Sequence, residues 1–244
     1  MFRQPIRRRL LGAAELAANR LGRPADTTNR NALDNRHLGL LLVFSLEQSS
    51  NCIDVGAHGG EVLAEMRRIA PLGHHIAFEP LPRMAAKLRS RFPDADIREC
   101  ALSDTRGEAT DFVEVLELPE LSGLRAREYG AAVNTQTITV RVETLDEALP
   151  TDYVPDLIKI DVEGNELGVL RGGRTVLAAH HPIIAFEHGS GAAEHYGTTS
   201  GDVHDLLVRD LEYRVFDIDG RGPLSRYAFE GLFSEPIWNF VARV

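Results

Sequence analysis

Lysine is almost missing from this chain: only Lys87 and Lys159 stand among 27 basic residues, an arginine bias expected of GC-rich coding. Cysteine is equally scarce. Cys52 and Cys100 cannot build a disulfide framework, and neither belongs to a C-x-x-C pair that would bind zinc or run redox chemistry. Both fall in apolar runs, which reads as buried thiols in a reducing compartment. Long hydrophobic runs are absent too. The longest, LGLLLVFSL at 38–46, is less than half of the roughly 20 residues that a bilayer span needs. Glu15 and Arg20 interrupt any secretory signal core, so a cytoplasmic location is expected. Positive charge is in deficit overall, with a net charge of −9, and this argues against a nucleic-acid partner.

What charge there is lies unevenly. Residues 1–36 hold eight arginines against Glu15, Asp26 and Asp34, and the acidic excess falls in the remainder. Within this end, Ile6, Leu10, Ala13, Ala14, Ala17 and Leu21 recur at helical spacing with arginines between them. The pattern predicts a helix over 6–22 that docks on its own domain or joins two copies of the chain. Peripheral membrane contact is the less favoured reading. Residues 23–36 read as a linker, and HLGLLLVFSLEQ as a helix covering the domain that occupies 37–244.

From residue 50 onward, strand and helix signals alternate. Strands are expected at CIDVG, HHIAFE, ADIRECAL, DLIKID, PIIAFEH, YRVFDID and PIWNFVARV. Apolar strands separated by helices predict an α/β fold with a parallel sheet covered on both faces, and ligands then lie at the strand carboxyl ends. Residues 103–143 break the rhythm with two hairpin-like strands, TDFVEVLEL and TQTITVRVE, and suggest an inserted flap.

The first strand runs into NCIDVGAHGG, whose G-x-x-G-G spacing is not the dinucleotide fingerprint G-x-G-x-x-G. Asp54 decides what this turn suits. A phosphate favours helix N–H groups and positive charge, so a carboxylate beside it costs energy; S-adenosyl-L-methionine carries no phosphate and presents an ammonium and a sulfonium. Gly56, Ala57, His58 and Gly59 then form the turn that approaches it. Glu79, at the end of HHIAFE, can accept both ribose hydroxyls; a nicotinamide dinucleotide would want the same group. Ala101 and Leu102 offer backbone to an adenine. Asp104 either borders that pocket or caps a turn.

IDVGAHGGEV, FEPLP, ECALSD, VETLDEAL, LIKIDVEGNELGVLRGG and PIIAFEHG occur in this order. Together they resemble the FkbM-type family of S-adenosylmethionine-dependent methyltransferases, over about residues 50–190. The resemblance implies a Rossmann-like, seven-stranded class I methyltransferase sheet with its last strand antiparallel. It also implies methyl transfer to a hydroxyl of a sugar, glycan or natural product. His58 departs from the asparagine more common in such families, and the N-terminal basic extension lies outside the resemblance.

Such a transfer needs a group to take the acceptor's proton. Asp161 and Glu163 follow one strand end, and Glu187 and His188 close the next. Asp161 or His188 is expected as the base, with Glu163 and Glu187 orienting the acceptor; helix capping and pairing with arginine are the structural alternatives. Asp161 also falls where cofactor is expected. A divalent metal among Asp161, Glu163, Glu187, His188 and His195 is not favoured, because no closed ligand spacing such as H-x-x-x-H occurs. Two other readings stay open: an NAD-dependent oxidoreductase, which the missing fingerprint and Asp54 oppose, and a non-catalytic cofactor-binding assembly subunit.

Overall fold

A computed structural model describes residues 27–129 and 132–244, so the helix expected over 6–22 lies outside the described residues. Helix α1 spans Thr27–Ser45. The segment 27–36, expected to be a linker, is therefore helical. Its polar side chains gave no apolar period, yet tertiary ion pairs fix it: Arg30 donates to both carboxylate oxygens of Asp219 at 2.8 and 3.0 Å and pairs with Asp34 at 2.7 Å.

The main sheet holds β1 (Cys52–Val55), β2 (His75–Phe78), β3 (Asp96–Arg98), β7 (Leu157–Ile160), β8 (Ile183–Glu187), β9 (Arg214–Asp217) and β10 (Asn239–Arg243). They lie in the order β3-β2-β1-β7-β8-β10-β9. β10 runs antiparallel to β8 and β9, and the neighbouring pairs from β3 through β8 are parallel. This is the expected sheet. Helices α2 (Glu61–Ile69) and α3 (Pro82–Arg91) follow β1 and β2. Further along, α4 (Leu145–Ala148), α5 (Glu166–Gly172), α6 (Arg174–His180), α7 (Ser200–His204) and α8 (Arg226–Gly231) complete the layers.

Successive strand side chains point to opposite faces, and β1 uses both. Ile53 and Val55 join the large cluster with Leu167, Leu170 and Leu177, while Cys52 meets Leu42 of α1 and Met66 of α2. Asp54 is in register with Lys159 of β7, so a carboxylate and an ammonium sit on adjacent buried strands.

The inserted region forms a second, three-stranded sheet in which β6 (Thr135–Glu143) lies between β4 (Ala101–Leu102) and β5 (Gly107–Val115). The run ADIRECAL, expected as one strand, is thus divided: β3 ends at Arg98 in the main sheet and β4 begins at Ala101 in the second. Phe112, Val140 and Val142 pack on Leu81, Met84 and Ala101, and this contact seats the flap against the carboxyl edge of the sheet.

Candidate active site at the carboxyl edge of the sheet

Two connected hollows occupy that edge. The first lies between the ends of β1 and β2 and the flap; it is lined by Gly56, Phe78, Glu79, Leu102, Phe112 and Asn165, among others. The second is a wider cleft bounded by Asn31, Asp34 and Asn35 of α1, by Asp54 and Lys159, and by Glu187 and Trp238. Gly56, His58, Glu120, Asp161 and Glu163 line both.

The turn after β1 is built for close approach. Gly56 has φ 79°, and a Cβ there would fall 1.9 Å from the carbonyl oxygen of Asp161, so a side chain is excluded. Gly60, with φ 79°, starts α2, and a Cβ on it would strike Leu88 and Phe92 at 2.6 Å. The backbone N–H of His58 donates to Glu79 Oε2 at 2.7 Å, and that of Leu81 to Glu79 Oε1 at 3.0 Å. Glu79 is 4% exposed, and burial pushes its carboxyl up to about 7 against these two bonds. The His58 ring stands 3.8 Å from the Glu120 carboxylate, on a short 3₁₀ turn of the flap, Pro119–Leu121.

Asp54 is 1% exposed; among the described residues the backbone N–H of Leu63 and the Lys159 ammonium are what favour its charged form. Burial raises its pKa, and the nearby Lys159 opposes the rise. Lys159 Nζ lies 4.0 Å from Asp54 and donates to Asp161 Oδ2 at 3.0 Å. Burial disfavours this ammonium, but Asp161, Asp54 and Glu187 outweigh it and raise its pKa. Sequence reading missed Lys159. The signal was present: one of two lysines in the chain stands inside the apolar strand LIKI, where an unpaired charge is too costly to keep.

The loop after β7 is held by another residue not singled out beforehand. Glu166 Oε1 accepts the N–H groups of Val162 at 3.2 Å and Gly164 at 3.0 Å, and burial pushes the Glu166 carboxyl up to about 7. Asn165 Nδ2 donates to the carbonyl of Leu102 at 3.1 Å, which ties this loop to the wall of the first hollow. Arg127 of the flap pairs with Glu163. Asp161, Glu163 and Glu187 each bring a carboxylate oxygen within 4.8 Å of the others. Positive charge already stands among them in Lys159 and Arg127, and His195 is exposed on the turn Ala193–Tyr196.

Most of the expected site residues converge here. Gly56, His58, Glu79, Ala101, Leu102 and Asp161 line the first hollow, and Asp54, Ala57, Asp161, Glu163 and Glu187 line the cleft. Three do not. Gly59 lines neither, and its carbonyl accepts from Arg91 at 2.6 Å. Asp104 is exposed and borders a separate depression with Arg106 and Arg171, and its carboxylate accepts from the Ser103 hydroxyl at 3.3 Å. His188 is 3% exposed and packed among aromatic rings. Its ring stacks on Phe229 at 5.5 Å, lies 5.3 Å from Phe233 and shares a 2.9 Å hydrogen bond with Ser200. Burial lowers its pKa to about 4. It borders a small recess with Arg127, Glu163 and Glu187; the last two also line the cleft, and His188 does not.

Comparison with known proteins extends this picture. A model of the methyltransferase FkbM domain matches residues 54–215. The fold is similar to that of methyltransferase FkbM from Methylobacillus flagellatus KT, with 16% identity and a TM-score of 0.51 over 82% of this chain and 44% of that one. The chain therefore spans less than half the length of that protein. Precorrin-6y C5,15-methyltransferase from Geobacter metallireducens GS-15 aligns with 15% identity and a TM-score of 0.46, covering 87% of this chain and 89% of that one. A putative O-methyltransferase from Klebsiella pneumoniae aligns with 15% identity and a TM-score of 0.47, covering 86% and 80%. No curated protein matches.

Proposed function

The chain belongs to the FkbM methyltransferase family, and on that footing we propose that it transfers a methyl group from S-adenosyl-L-methionine to a hydroxyl of a sugar, glycan or natural product. When bound, this cofactor supplies a methyl carbon activated by its sulfonium. The observation that carries the reading is Asp54: a carboxylate 1% exposed at the edge of the cleft, facing Lys159 at 4.0 Å. A buried carboxylate is costly unless it is paired, and a cationic ligand end would add to the pairing with Lys159 where a phosphate would be repelled.

The first hollow suits the nucleoside half. Phe78, Leu102 and Phe112 give it apolar walls, and Glu79 keeps lone pairs for ribose hydroxyls. Asp54 and the turn at Gly56–His58 would hold the methionine end.

Asp161 lines both hollows, and Lys159 fixes its carboxylate. We assign it the acceptor's proton. Glu163, oriented by Arg127, and Glu187 complete an acidic wall that can accept the acceptor's other hydroxyls. His188 holds the loop after β8 in place.

The test is transfer of labelled methyl from the cofactor into an extract of the source cell, with mass analysis of the product. The native chain is expected to label a hydroxylated compound. Asp161→Asn should lower that rate by ~10²–10⁴-fold, the usual worth of a positioned base, while S-adenosylhomocysteine still binds. Full transfer by Asp161→Asn would remove it from the mechanism.

A further inference from the structure

Only residues 46–51 join helix α1 to strand β1, and the N–H of Leu72, past the end of α2, donates to the Gln48 carbonyl at 2.8 Å. α1 therefore descends beside α2 while β1 climbs, and its N-terminal half stands at the carboxyl edge of the sheet. Leu38 and Leu42 pack with Cys52, Val62 and Met66. Asn31 and Asn35 continue this stripe upward, because 31, 35, 38 and 42 keep the i, i+4, i+7, i+11 spacing of one helix face. Asn35 lies about 10 Å along the axis from Leu42, and Val55 about 10 Å along its strand from Cys52. Both amides thus reach the level at which β1 turns into Gly56–Gly60, and both line the cleft with Ala57, His58 and Val62. The matched family region begins at residue 54, so α1 precedes it.

The cleft is acidic, with Asp54, Glu61, Glu120, Asp161, Glu163 and Glu187 among its walls. An ammonium finds partners throughout it; a carboxylate is repelled except where uncommitted donors stand. Lys159 is taken up by Asp161 and Asp54, the Asn239 amide donates to Asp34 at 3.0 Å, and the His58 ring faces Glu120. Asn31 and Asn35 differ. Both are exposed, no hydrogen bond among the described residues engages their side chains, and each amide offers two N–H donors.

Given S-adenosyl-L-methionine as the cofactor, a reading on which this step rests, we infer that Asn31 and Asn35 receive the carboxylate of its methionine end. Their side-chain N–H groups donate to that carboxylate from the α1 side of the cleft, while the ammonium is drawn to Asp54. The two charges of the methionine end are then sorted between two walls: acid from the strand, neutral amides from the helix. Arg30 to Asp219 and Asn239 to Asp34 tie α1 to the C-terminal strands and so keep the amides in position.

Calorimetric titration of the full chain tests this with S-adenosylhomocysteine, its decarboxylated analogue, which keeps the amine, and methylthioadenosine, which has neither group. Asn31→Ala combined with Asn35→Ala should weaken S-adenosylhomocysteine about tenfold, the worth of a hydrogen bond to a charged group, and leave the other two compounds unchanged. Asn35→Asp sets a like charge against the carboxylate and should show the same selective loss. Alanine suits an exposed helical position, and unchanged methylthioadenosine binding reports that the variants fold. An equal loss for all three compounds would overturn the inference. So would a loss shared by S-adenosylhomocysteine and the decarboxylated analogue, which would give the amides to the ammonium. Native S-adenosylhomocysteine affinity in the double variant would overturn it too, and reduced methyl transfer alongside would move the amides to the acceptor. A native chain that binds none of the three would bring down the cofactor reading itself, and this step with it.

Discussion

Glu166 and His188 are both buried ionisable groups near the candidate site, and their pKa values move in opposite directions. Glu166 is raised from 4.5 to about 7, so the folded state holds its proton more tightly than the unfolded chain. Its contribution to stability is complete below pH 4.5 and is lost as the pH rises through 7. Glu166→Gln keeps an oxygen for the N–H groups of Val162 and Gly164, and removes the titration. Urea melts at stepped pH should show the stability of the native chain falling relative to the variant between pH 4.5 and 7. A constant difference would mean that this carboxyl does not titrate there. His188, lowered from 6.5 to about 4, has the opposite slope, but it is present in both proteins and cancels. His188→Ala removes a ring packed between Phe229 and Phe233 and should cost about 2–4 kcal/mol, in the manner of other large-to-small core changes, with affinity for S-adenosylhomocysteine unchanged. Normal stability with lost transfer would restore it as a base. The two residues also show what a local reading can see. Asp161 and His188 each stand at the end of a parallel strand, and the sequence gives both equal claim to the cleft. Only the packing of α8, some forty residues later, turns the His188 ring into the core.

The flap is the element whose form was most legible and whose anchoring was least so. Its two alternating strands, β5 and β6, stand out from the runs of apolar strand around them, and the hairpin was expected. Its latch was not: Arg127 pairs with Glu163, 36 residues away, and this pairing leaves no periodic trace. Pro119, Glu120, Ser122 and Leu124 of the flap line the first hollow, so a ligand there is covered by it. Arg127→Met should loosen this cover. Stopped-flow release of S-adenosylhomocysteine is expected to speed up several-fold, and limited proteolysis within 117–136 to accelerate; unchanged release would show that the latch has no part in retention. A similar blindness explains the N-terminal half of α1. Its residues carry polar side chains suited to a linker, but Arg30, Asp34 and His37 are fixed by Asp219 and Asn239, which follow at the far end of the chain. The division of ADIRECAL between two sheets has the same cause, since the flap's β6 claims Ala101 and Leu102.

Across the molecule, the sheet order brings distant strand ends to one edge, and the alternation of apolar strands and helices was enough to foresee it. That edge collects Asp54, Asp161, Glu163 and Glu187 around Lys159 and Arg127, so carboxylates exceed cations. An excess of this kind draws a positively charged ligand and repels a diphosphate. Calorimetric titration of the full chain with S-adenosyl-L-methionine, S-adenosylhomocysteine and NAD tests this most directly. The account predicts one-to-one binding of the first two, at least about tenfold weaker in Asp54→Asn, in line with the 1–3 kcal/mol expected for one buried charged contact, and no binding of NAD. Heat with NAD and none with either adenosyl compound would contradict it.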